Sequence, residues 1–306
     1  MPCVDPRREE FAVSSNPESA AASASSTTRE YEAVSRRLDL AIEAARVAGE
    51  CTLHYFNRPD RLEIEEKSDA SVVTNADREA EEKIRGMITQ AFPADAIIGE
   101  EWGESAGDAS ANHENSVNSF RWILDPIDGT LSYVHGVPTY GTLIAVECNG
   151  HYEIGVVALP GLHEIAWAAR GCGAHHEAPH TDGATVPAHV SQKSSLAECT
   201  ICTTSIQNFN QMNERGVFLA VAEAARHFQG WSDSYYYVLL ATGRIDGMIE
   251  PTVKLWDLAA PLVVAREAGG LLTDWDGVET PSGGNAIATN GLIHQEFLDL
   301  VRRTRA

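Results

Sequence analysis

Apolar positions recur every three or four residues through TTREYEAVSRRLDLAIEAARVAGECTLHYF, at Val34, Leu38, Ala41, Ala45, Ala48, Thr52 and Tyr55. That spacing lines one stripe of a long amphipathic helix. Thr27 and Glu30 have the spacing of a capping box, so the helix is expected to open there. After Pro59, RLEIEEKSDASVVTNAD reads as a short strand and loop. A second helix is expected from about Asn75 to Phe92, ended by Pro93, which cannot continue it. The period then shortens. AIIGEEWGE is a brief apolar strand followed by carboxylates, residues 105–119 are small and polar like a loop, and RWILD is a continuous apolar run. TLIAVECNGHYEIGVVALP reads as two strands joined at Asn149-Gly150, a pair suited to a type I′ turn. HEIAWAAR is a further strand.

The stretch GCGAHHEAPHTDGATVPAH has the composition of a loop, and a boundary is expected near residue 185. Beyond it strands and helices alternate, the pattern of an α/β half. Three parts result. Residues 1–29, rich in Ser, Ala, Thr and Glu, are expected to be a disordered tail. Residues 30–185 form an N-terminal α+β half and residues 186–306 a C-terminal α/β half.

Composition narrows the function. A formal net charge of -21 argues against binding nucleic acid or an anionic membrane through a basic surface. It fits cation binding, although most of the charge reads as a solvated acidic surface. No apolar run approaches the roughly 20 residues of a membrane span. Arg7-Arg8 is followed by EEFAVSSNPES, which lacks the apolar core of an export signal, so a cytoplasmic location is expected. Cys199 and Cys202 have CxxC spacing, but in an apparent strand they face opposite sides and are expected to be buried, reduced thiols. His175, His176 and His180 lie in the Gly/Pro-rich stretch without a partner motif and are expected to be exposed.

Asp125 and Asp128 stand directly behind Trp122-Ile123-Leu124. Two ionised carboxylates this close repel, and burial sharpens the repulsion, so a compensating charge is needed. Asp77, Glu100 and Asp257 share the pattern, each following a strand or opening a helix. Hard cations such as Mg²⁺ take such oxygen ligands together with water and phosphate. Paired ions activate water and stabilise a leaving oxygen. Pro126 stiffens the turn, and Gly129-Thr130 begins a helix whose free N–H groups accept a phosphate. Blander roles are available for the other three acids, but not for the Asp125–Asp128 pair. Asp257 is placed to cap a helix closed by Gly269-Gly270, Glu100 to be solvated, and Asp77 to be a helix-start acid. The Asp-x-Asp-Gly-Thr of haloacid-dehalogenase phosphatases is one residue shorter than Asp-Pro-Ile-Asp-Gly-Thr here, which redirects the second carboxylate.

GEEWG, WILDPIDGTLSYVHGVPTYG and LWDLAAPLVVAREAGG, in that order, resemble the inositol monophosphatase superfamily of metal-dependent phosphatases, over residues 30–306. The resemblance implies an α+β fold, a layered αβαβα sandwich of the sugar-phosphatase type. It also implies a homodimer that hydrolyses phosphate monoesters with two or three Mg²⁺ per active site. Carried over, Glu100, Asp125 and the Ile127 carbonyl hold one metal, and Asp125, Asp128 and Asp257 a second. Asp77 and Thr130 orient and deprotonate the water, with Glu100 beside them, and the amides of Gly129 and Thr130 hold the phosphate. Lys67 matches the lysine near the metal loop, and Glu250 the carboxylate that touches the substrate.

GWSDSYYYVLLATGRIDGMIEP, with Asp233, resembles the histidinol-phosphate phosphatase branch. Histidinol phosphate carries an ammonium beside its phosphoester, and Asp233 with Glu250 offers it charge-assisted hydrogen bonds. Asp233 also fits a helix cap. The expected function is therefore Mg²⁺-dependent hydrolysis of a small phosphate monoester, histidinol phosphate first. An inositol-1-phosphate or broad sugar-phosphate phosphatase is the alternative. A non-catalytic metal or phosphate sensor is a remoter one.

Overall fold

The computed structural model describes residues 17–67, 71–108, 110, 119–231 and 233–305. Helix α1 (Pro17–Tyr55) leads into a small hairpin of β1 (Ile64–Glu66) and β2 (Val72–Thr74), then α2 (Asn75–Ala91). There follow β3 (Ala96–Gly99), β4 (Gly103–Ser105), β5 (Phe120–Asp128) and the short α3 (Thr130–Val134). Strands β6 (Gly141–Cys148), β7 (His151–Leu159), β8 (Glu164–Ala169), β9 (Ala174–Glu177) and β10 (Val186–Ala188) complete a sheet of order β10-β9-β8-β7-β6-β5-β3-β4. Next come β11 (Thr200–Cys202), α4 (Ile206–Gln211), α5 (Arg215–Ala224), β12 (His227–Gln229), α6 (Ser234–Ala241) and β13 (Gly247–Glu250). The chain ends with α7 (Leu255–Glu267), β14 (Leu271–Thr273), β15 (Ala286–Thr289) and α8 (His294–Arg305). The second sheet has the order β12-β11-β13-β15-β14.

The pleat sorts the large sheet into two apolar faces. Trp122, Leu124, Ile144 and Val156 pack against α1 and α2. Ile123, Leu143, Ala145 and Val157 pack against α6 and α7. The other sides of α6 and α7 meet the second sheet through Met248, Leu272 and Ala288. That sheet's far face, with Ile201, Ile249 and Ile287, is covered by α4, α5 and α8. The stack is helix, sheet, helix, sheet, helix, the expected αβαβα layering. The middle helices are apolar all round, SYYYVLLA and LWDLAAPLVVARE, because sheets cover both of their sides.

α7 lies so close to β7 that a Cβ at Gly155 would stand 2.2 Å from the Ala260 carbonyl oxygen. Gly155→Ala is therefore expected to push α7 off the sheet and cost about 1–3 kcal/mol. An unchanged urea midpoint would contradict that packing.

Several local expectations need correction. Helix α1 begins at Pro17, so it takes in part of the segment expected to be a disordered tail, and Thr27 and Glu30 lie within the helix rather than at its start. Ala-rich sequence propagates an existing helix at little cost, whatever cap it contains. Residues 1–16 lie outside the described residues, as do residues 109 and 111–118 of the expected loop. The loop-like stretch before residue 189 contributes β9 and β10, which add to the sheet edge. His176 on β9 is buried, 3.2 Å from Glu164, and His175 is stacked on Trp167, so only His180 is exposed as expected. Backbone pairing, which composition does not report, decided this. The type I′ turn is present, with φ of 51° at Asn149 and 83° at Gly150. Cys199 and Cys202 are buried free thiols. Among the described residues, no helix is long and apolar enough to cross a membrane.

Candidate active site

The site forms where β5 ends. Its register with β6 shifts between Asp125 and Asp128, so the strand bulges as it leaves the sheet. Gly129 follows in a left-handed conformation, φ 86°, and turns the chain into α3. Thr142 on β6 fixes the bulge by donating to the Pro126 carbonyl at 2.9 Å. Asp257 arrives from the first turn of α7, where its Oδ2 accepts from the Lys254 N–H at 2.8 Å.

Asp125, Asp128 and Asp257 thereby offer carboxylate oxygens that all lie within 4.8 Å of one another. Asp125 is buried, and its Oδ1 has no hydrogen-bond partner. Burial pushes the Asp125 and Asp128 carboxyls well above the usual carboxylate range, and the neighbouring carboxylates push them further. Asp257 is pushed up to about 7, mainly by burial. An orphaned oxygen among mutually repelling carboxylates fits a hard divalent cation. Glu100 stands at the edge of this group, in the same cleft, with its Oε1 3.1 Å from Lys67 Nζ.

Asp77 comes from the first turn of α2. Its Oδ2 accepts from the Thr74 N–H at 2.8 Å and the Thr74 hydroxyl at 2.5 Å. Its Oδ1 is left facing the Thr130 hydroxyl at 3.3 Å, and that hydroxyl is also 3.1 Å from the Ile127 carbonyl. Burial pushes Asp77 up to about 7 against the pull of Thr74.

Two clefts share Asp128 and Asp257 as walls. The larger, about 320 Å³, also takes in Glu100, Asp125, Gly129 and Thr130. The smaller, about 170 Å³, takes in Asn208, Asp233, Tyr236 and Glu250. Glu250 is buried. Its Oε1 accepts from the Thr203 hydroxyl at 3.1 Å and the Thr204 hydroxyl at 2.9 Å, and also from the Thr204 N–H. Its Oε2 has no partner. Burial raises this carboxyl to about 7. Asp233 stands at the N-terminus of α6 at φ 61° and ψ -153°, and its side chain accepts no capping hydrogen bond from that helix. All the sequence-predicted site residues therefore converge on these clefts, on their Thr74 and Lys67 supports, or on both.

Sequence reading missed several supports. Glu101 is a second partner of Lys67, at 2.8 Å. Glu81 is fully buried and holds the turn after β3. It accepts from the Glu101 N–H at 2.8 Å and the Trp102 N–H at 3.3 Å, with Arg85 at 2.7 Å. Ser234 donates to Asp128 Oδ2 at 2.6 Å, and Ser132 donates to Asp233 Oδ2. Thr74 was legible as the start of a T-x-x-D capping box. Glu81 was legible as an acid one turn beyond Asp77 on the apolar face of α2. No sequence signal pointed to Ser132 or Ser234, whose partners lie about a hundred residues away.

Known proteins share this architecture. The profile of the inositol monophosphatase family matches residues 33–305. A histidinol-phosphatase of Mycobacterium tuberculosis is 39% identical over 85% of this chain and 96% of its own length. One of Streptomyces coelicolor is 36% identical over 85% of this chain and 95% of its own. The crystal structure of the extragenic suppressor protein suhB of Bartonella henselae superposes with a TM-score of 0.77 at 28% identity, covering 88% of this chain and 99% of that one. With the layered fold, the carboxylate group and a profile match along nearly the whole described chain, this protein belongs to the inositol monophosphatase family and is a phosphatase.

Proposed function

We propose that the protein is a Mg²⁺-dependent histidinol-phosphate phosphatase. The observation that carries the substrate choice is Glu250 Oε2, a buried carboxylate oxygen without a partner in the smaller cleft, with Asp233 in the same wall. A buried acceptor left empty is costly, and an incoming ammonium offers it a charge-assisted hydrogen bond. An entering cation also favours the ionised form of Glu250. A polyol has only hydroxyls to offer there. The similarity to two histidinol-phosphatases supports the same choice.

In this reading Glu100, Asp125, Asp128, Asp257 and the Ile127 carbonyl hold the metal. When bound, Mg²⁺ supplies the positive charge that a phosphate dianion and an attacking water both require. The chain's own residues do the positioning. The amides of Gly129 and Thr130 seat the phosphate. The Thr130 hydroxyl accepts a proton from the water as its own proton passes to Asp77 Oδ1, which Thr74 holds in place from the other side. The O–P bond to the leaving group breaks as the water oxygen bonds to phosphorus, giving inorganic phosphate and an alkoxide that takes a proton from solvent water to become the alcohol, while Asp77 returns its proton to solvent. Lys67 keeps Glu100 and Glu101 together against their repulsion. The homodimer implied by the resemblance and the cytoplasmic location expected from the N-terminal sequence belong to the same reading, and light scattering tests the first.

Steady-state phosphate release with Mg²⁺ tests the substrate. We expect kcat/KM for L-histidinol phosphate to exceed that for inositol 1-phosphate by more than about 100-fold, roughly 2.7 kcal/mol of discrimination. A ratio near one would return the protein to a generalist sugar-phosphate role.

A further inference from the structure

Asp233 occupies a backbone conformation that L-residues rarely adopt, φ 61° and ψ -153°. Such a conformation persists only where the surroundings hold it. One contact is with Gly129, where a Cβ would stand 2.6 Å from the Asp233 Cβ, so the two segments touch without room for a side chain at 129. Another is the next residue, Ser234, whose hydroxyl binds Asp128 Oδ2 at 2.6 Å and packs on Gly141. The third holds the functional group itself. Ser132, in α3, donates its hydroxyl to Asp233 Oδ2.

α3 also carries Thr130, two residues earlier. Ser132 therefore ties the carboxylate of the smaller cleft to the helix that opens on the larger one. We infer that Ser132 is a specificity-determining positioning residue, which sets the reach between the substrate's phosphate and its ammonium by fixing one oxygen of Asp233. The inference rests on the ammonium reading given above. Without the Ser132 hydroxyl, Asp233 Oδ2 loses its tie to α3, and repulsion from Glu250 and Asp128 favours side-chain orientations that carry the carboxylate away from the cleft. A substrate without an ammonium makes no use of that carboxylate.

The test compares Ser132→Ala, Ser132→Thr and Asp233→Asn on L-histidinol phosphate and on β-glycerophosphate, an ester of the same reaction without an ammonium. Ser132→Ala should lower kcat/KM for histidinol phosphate about tenfold, the size of one hydrogen bond to a charged group. The loss should lie mostly in KM and be several times larger than the loss on β-glycerophosphate. Ser132→Thr, which restores a hydroxyl, should recover most of it. Asp233→Asn should show the same bias more strongly. Equal losses of Ser132→Ala on both substrates, or none on either, with Asp233→Asn still selective, would overturn this inference alone. An unselective Asp233→Asn would overturn the ammonium reading and this inference with it.

Discussion

Asp128→Asn is expected to lower turnover by at least about a thousandfold, the several kcal/mol that a properly held metal contributes to phosphoryl transfer. The same substitution should stabilise the metal-free protein. Burial, with Asp257 and Asp233 nearby, holds the Asp128 carboxyl well above its usual range, so removing its charge relieves repulsion. An asparagine oxygen still accepts from the Ser234 hydroxyl, so the local hydrogen bond survives. Calorimetry should then show weaker Mg²⁺ binding and thermal unfolding a higher metal-free midpoint. Near-normal turnover, or an undiminished rise in Tm with Mg²⁺, would sink the assignment of Asp128 as a metal ligand.

Stability should depend on pH and metal together. Asp77 and Asp257 are each raised from 3.8 to about 7 by burial. A carboxyl raised on folding stabilises the native state below its unfolded value, near 4, and loses that contribution as pH rises to about 7. The metal-free protein should therefore lose on the order of several kcal/mol between pH 4 and 8 from these groups. His294 acts in the opposite direction, because burial lowers it to about 4 and stability is lost as pH falls from about 6.5 towards that value. It lies outside the carboxylate site, so its effect cancels when Tm is compared with and without Mg²⁺. The Mg²⁺-induced rise in Tm should be small at pH 5 and of order 10 °C at pH 8. A rise that is constant with pH, or larger in acid, would show that the cation does not compensate these carboxylates.

What the sequence determined by itself was local or carried by strong motifs. The α2 helix, the β6–β7 hairpin at Asn149-Gly150 and the apolar run of β5 were legible because period and turn chemistry act between neighbours. Asp125 and Asp128 were legible because charged residues directly behind WIL have few bland explanations, whereas Asp257 joined them only through the resemblance of LWDLAAPLVVAREAGG to the family. The start of α1 was misread because a capping pattern is no stronger than the helix propensity around it. β9, β10 and the burial of His176 were misread because a sheet edge is decided by partners distant in sequence. Only the tertiary structure decided which way each carboxylate faces. Lys67 meets both Glu100 and Glu101, Thr74 turns Asp77 towards Thr130, and Ser234 and Ser132 secure Asp128 and Asp233. Sequence spacing lists charges, but their repulsion and reach depend on distances of a few ångströms, which are set where α2, α6 and α7 pack around the bulged end of β5.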